Sequence, residues 1–116
     1  LAIFRKVNVK DKLIKQYKIA YYDSQYQCVV CGKPAGQIAH CLAKTKANAK
    51  MVKRLWQGLF NEVPKDVEMI LNNNRNLKPT CRLYCNSRCN IGFKDNLVRE
   101  KLKEIKIDID KHPQLI

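Results

Sequence analysis

Acidic residues are scarce in this chain. Ten Asp and Glu stand against 23 Lys and Arg over 116 residues, a formal charge of +13 at pH 7. Such a surplus is either a lysine-rich solvated shell or the footprint of a polyanion, and on so small a chain it favours the polyanion, nucleic acid first of all. Long apolar runs are missing too: nothing approaches the roughly 20 residues of a membrane span, so no membrane role is expected. The charged start and apolar core of a secretory signal are also absent. That bears on the six cysteines. Without an export signal, closely spaced pairs read as an intracellular metal site rather than a disulfide framework, and the expected location is cytoplasmic or nucleoid-associated. Repeats, low-complexity tracts and Gly/Ser linkers are lacking, which leaves one domain over 1–116, small enough to benefit from a structural metal. The chain opens at Leu1 without Met, as a fragment or a processed or trimmed chain would.

The cysteines carry the sharpest pattern. CVVCG at 28–32 is a pair followed directly by Gly, which permits the tight turn that points both thiolates and nearby N–H groups at one ion. CRLYCNSRCN at 81–90 carries three more. Cys28, Cys31, Cys81 and Cys85 are the expected ligands of a structural Zn²⁺. Cys85 and Cys89 have the same spacing as Cys81 and Cys85, so the second pair has an alternative. Cys81 with Cys85 is preferred because it straddles the end of an extended segment and the start of a helix. Cys41 and Cys89 then read as buried thiols. Cys41 follows His40, but neighbours on a strand point to opposite faces, which argues against a catalytic pair.

Periodicity places the remaining elements. Asp11 can cap a helix through about Tyr22, with Leu13, Ile14, Tyr17, Ala20 and Tyr21 on one face and Lys12, Lys15 and Lys18 on the other. Lys33 to Gly36 is a turn, and Gln37 to Leu42 a strand. The clearest helix runs from about Thr45 to Phe60. Its apolar side carries Met51, Val52, Leu55, Trp56 and Leu59, and its opposite side a stripe of Lys46, Lys50, Lys53 and Arg54. With no acid before Glu62, that stripe suits phosphates. Pro64 is expected to open one or two helical turns from the first position, Asn72 to Asn74 to turn, and 76–80 to run extended with Pro79 near an edge. A helix follows from about Asn86 to Phe93. The last one, over about 96–106 and capped by Asp95 or Asn96, buries Val98, Leu102 and Ile105. IKIDID (105–110) alternates and is expected to fray into extended chain. Residues 1–10 read as a short strand or arm. The fold class expected is α+β.

The succession CVVCG, IAHCL and NRNLKPTCRLYCNSRCNIGF resembles the zinc-knuckle-containing members of the HNH endonuclease family, over roughly residues 28–93. The resemblance implies a ββα-metal core stapled by the four-Cys zinc site, with flanking amphipathic helices, and phosphodiester hydrolysis in DNA. It implies His40 as the general base and Asn76 as the residue that braces the loop and orients that histidine. It also implies Asn86 and Asn90, one helical turn apart, as ligands of a catalytic Mg²⁺ or Mn²⁺ that stabilises the leaving oxygen. A neutral imidazole suits removal of a proton from water near pH 7. Two departures stand out. Ala39 occupies the place where many members carry His or Asp before the base, and amides stand where the family places stronger ligands. The substrate phosphate would then hold much of the ion. DNA is the expected partner, bound as monomer or homodimer. The competing reading is a non-catalytic zinc-stabilised nucleic-acid-binding module; a protein-interaction zinc domain leaves the cationic stripe unexplained.

Overall fold

Side-chain caps set the boundaries of the central helices. The computed structural model, which describes residues 9–112, runs α1 (Val9–Asp23), β1 (Gln37–His40), α2 (Lys46–Phe60), α3 (Val67–Leu71), a 3₁₀ turn (Asn74–Asn76), β2 (Leu77–Thr80), α4 (Leu83–Arg88) and α5 (Asp95–Lys111). Thr45 Oγ1 accepts the Asn48 amide at 3.1 Å to open α2, and Asn61, in the left-handed region at φ 52°, closes it by donating its N–H to Gln57 O. Asp66 caps α3 by accepting the Met69 amide at 3.2 Å. Because Asp66 supplies this cap, the helix begins at Val67 and Pro64 lies outside it, not at its first position as expected. The result is a small mixed α+β fold with a two-stranded antiparallel sheet and five α-helices among the described residues. No helix among them is long and apolar enough to cross a membrane.

The apolar core lies between α2, α3 and α5. Leu42, Val52, Leu55, Trp56, Ile70, Leu71, Val98, Leu102 and Ile105 form one buried cluster. Three of its members come from α5, so the segment beyond the motif-bearing region is structurally integral. α5 also stays helical to Lys111 where IKIDID alternates. Ile105 and Asp108 are both buried, Ile109 packs on the cluster, and Lys106 pairs with Asp110 at 3.2 Å. Those spacings of three and four satisfy a helix as well as alternation suits a strand, and burial decides the contest. α1 ends close to the expected Tyr22 but is already helical at Val9, so Asp11 lies within its first turn rather than at its cap; its inner face is partly polar, with Gln16 buried beside Ala20 and Ile14 exposed. Gln16 is drawn in because its Oε1 accepts both the backbone and side-chain N–H groups of Asn74, at 2.7 and 2.8 Å.

β1 and β2 pair from Gln37 opposite Thr80 to His40 opposite Leu77. With only two strands, neither is central, and Pro79 is accommodated opposite Ile38 without removing a needed ladder bond. α4 packs against both strands and α1 against β2. α4 starts at Leu83 and ends at Arg88, earlier at both ends than the expected Asn86 to Phe93. It stops because Asn90 Oδ1 accepts the Gly92 amide at 2.7 Å and Gly92 adopts φ 63°, reversing the chain. Ile91 N then donates to Cys41 O at 2.9 Å, bringing the far end of α4 beside the end of β1. The strand or arm expected over 1–10 lies outside the described residues up to Asn8, and Val9 and Lys10 belong to α1.

Candidate active site and metal centre

Two loops bring four thiols together. Gly32, at φ 79°, lets the first knuckle close, with Gly32 N donating to Cys28 O at 2.9 Å, and Val29 N donating to Pro79 O at 3.0 Å fastens that loop to β2. The second knuckle is the turn from Cys81 into α4. The ligand atoms of Cys28, Cys31, Cys81 and Cys85 all lie within 4.8 Å of one another, with Cys31 Sγ 3.3 Å and Cys85 Sγ 3.7 Å from Cys81 Sγ. A tetrahedral Zn²⁺ with Zn–S bonds of about 2.3 Å needs sulfurs about 3.8 Å apart, so this donor set fits zinc. Burial opposes charge on the Cys28 thiol, but N–H groups of Cys31, Val30 and Cys81 outweigh it and bring Cys28 down to about 6. Cys81 is pushed up to about 12, first by its contact with the Cys31 thiol and then by burial. Cys89 falls at the C-cap of α4, outside the cluster and half-buried. Cys41 is buried, and burial raises its thiol, so it has neither the access nor the charge of a nucleophile.

His40 ends β1, and its Nε2 lies 2.9 Å from Asn72 Oδ1. The Asn72 amide is itself oriented, because its Nδ2 donates to Glu68 O at 3.0 Å. Its oxygen therefore faces the imidazole and accepts from Nε2, an arrangement that in the neutral ring leaves the lone pair on Nδ1. Asn76 braces the loop after His40: Oδ1 accepts Leu42 N at 2.8 Å, and Nδ2 donates to Leu42 O at 3.1 Å and Leu71 O at 2.6 Å. It is wholly buried, and replacing it would strand three backbone groups. Asn76 thus ties the loop after His40 to the end of α3, whereas Asn72 is the partner of the imidazole. The run 72–74 read as a turn, and its run of amides was the available sign of more. All three side chains are buried: Asn72 meets His40, and Asn73 and Asn74 each donate to Asp108 Oδ2 at 3.0 Å.

The amides expected at a divalent ion are not arranged as ligands. Asn86 Nδ2 donates to Ile38 O at 3.2 Å, tying α4 to β1 and leaving its Oδ1 open. Asn90 lies beyond the end of α4, so the two do not share a helix face, and its Oδ1 is spent on Gly92 N. Lys78 pairs with Ala39, so an ammonium rather than a carboxylate is carried directly across from that position. Among the described residues the four cysteines form the only group of three or more His, Cys, Asp or Glu side chains able to share an ion. One open amide oxygen and an adjacent cation do not fit Mg²⁺ or Mn²⁺, which require several oxygen donors.

Charge is sorted by element. No acid occurs between Asp23 and Glu62 or between Glu68 and Asp95. Five of the ten acids lie on α5 and are engaged there, for example Asp95 with Arg99 at 2.7 Å and Glu104 with Lys101 at 3.1 Å. Lys46, Lys50, Lys53 and Arg54 of α2 are exposed and form no ion pair with another of the described residues. Their field is thus uncompensated locally. Comparison with protein-family models, curated proteins and solved structures returned no match.

Proposed function

We propose that this chain is a zinc-stapled endonuclease of the ββα-metal (HNH) type that hydrolyses phosphodiester bonds in DNA, with His40 as its general base. The observation that carries this reading is the 2.9 Å pairing of His40 Nε2 with Asn72 Oδ1, which leaves Nδ1 as the basic nitrogen of an oriented ring. Nδ1 takes a proton from water, the water oxygen bonds to phosphorus, the bond to the leaving sugar oxygen breaks, and that oxygen takes a proton from solvent. The cations of α2 engage the neighbouring phosphates. The four cysteines would hold Zn²⁺, which supplies a fixed junction between the two knuckles rather than chemistry. The Mg²⁺ or Mn²⁺ implied by the resemblance finds no site built by these residues.

The test is plasmid cleavage by zinc-loaded protein with Mg²⁺, with Mn²⁺ and with neither. Wild type should nick, and His40→Ala should lose about 100-fold or more while still binding DNA. Equal cleavage by the two proteins would sink the reading. The pairing of Ala39 with Lys78 favours a second reading, a non-catalytic nucleic-acid-binding module. Its signature is DNA binding by wild type with no nicking at any protein concentration or with either metal.

A further inference from the structure

The tip of the molecule around the four cysteines is apolar where a structural metal site needs no apolar surface. Val29 and Val30 of the first knuckle are 48% and 40% exposed, and Leu83 and Tyr84 of the second are 76% and 59% exposed. The Cys31–Cys81 contact of 3.3 Å and the Val29–Pro79 hydrogen bond hold the two loops against each other, so these residues belong to one surface. Two guanidinium groups frame the aromatic ring. The carbon of Arg82 lies 5.5 Å from the Tyr84 centroid and that of Arg88 5.6 Å, and Arg88 Nη1 donates to Tyr84 Oη at 3.0 Å. The ring is held by two arginines yet more than half exposed.

We propose that this tip is a stacking surface for unpaired nucleobases. An oligonucleotide is the occupant that matches both of its properties: flat apolar faces for Tyr84 and the guanidinium planes, and phosphates for their charge. A second copy of this chain would match the apolar surface but not the charge, because it would set arginine against arginine on partners of formal charge +13 each. Leu83, beside the ring, is placed to wedge against a base edge and resist re-stacking. The surface would serve a cleaving enzyme or a purely binding module equally, so it does not depend on hydrolysis.

Binding is measured by fluorescence anisotropy on the full zinc-loaded chain carrying His40→Ala, so that no strand is cut. The probes are a single-stranded oligothymidine and a blunt duplex of equal length. Tyr84→Ala should weaken the single strand about tenfold and leave the duplex within about twofold. Tyr84→Phe, which keeps the ring and removes the hydroxyl, should stay close to wild type on both. Because Tyr84 is exposed, loss of folding does not confuse the result, and circular dichroism confirms it. Equal loss on both probes, or loss on neither, overturns the proposal. So does a response to Tyr84→Ala confined to anionic lipid vesicles, which would make the tip a membrane-contact surface.

Discussion

At the scale of single residues, Asn72 and His40 form the pair whose chemistry can be tuned most directly. Asn72→Asp keeps an acceptor opposite Nε2 but adds a negative charge that favours imidazolium. The proton-accepting form is the neutral ring, so the sign is fixed: the variant should cleave more slowly than wild type at neutral pH. A variant that cleaves as fast as wild type would break the link between the two residues. None of this pairing was legible beforehand. His40 and Asn76 stand out through the motifs around them, but Asn72 reads as an ordinary turn residue, and it meets His40 only once the end of α3 lies beside the end of β1. Gln16 and Asp108 were hidden for a similar reason. A polar residue on a helix face reads as solvated until a buried amide from elsewhere claims it, as Asn74 claims both.

At the scale of elements, strong local patterns were readable and short ones were not. α2 carries a cap, an apolar stripe and a charged stripe that agree, and it runs from Lys46 to Phe60 much as its period predicts. The Val98, Leu102 and Ile105 stripe of α5 is likewise fully buried. α4 has only six residues and no side-chain cap, so its ends are set by the cysteine turn on one side and the Asn90–Gly92 turn on the other. Both determinants are tertiary or loop features that helical period does not register. α5 is the element on which stability should depend most. Leu102→Ala opens a cavity in the single apolar cluster and should cost about 2–5 kcal/mol by denaturant unfolding, enough to threaten a chain of this size. A loss below about 1 kcal/mol would mean that α5 packs less closely than its burial indicates.

At the scale of the whole molecule, the four-cysteine cluster brings together two segments that lie far apart in the chain and could share one zinc ion. Stripping zinc with a chelator should cause cooperative loss of structure, followed by circular dichroism and reversed on adding zinc back. A chelated protein that kept its thermal transition would show the thiol cluster to be dispensable. The junction has one more consequence. With zinc bound it would close the stretch from Cys31 to Cys81 into a ring, and one exposed part of that ring is the connector from Asn61 to Lys65. A single peptide-bond cut in that connector leaves the two pieces tethered through the metal and packed across one core. The chain is therefore organised as a clasped loop, open to being split at one point and still acting as one body.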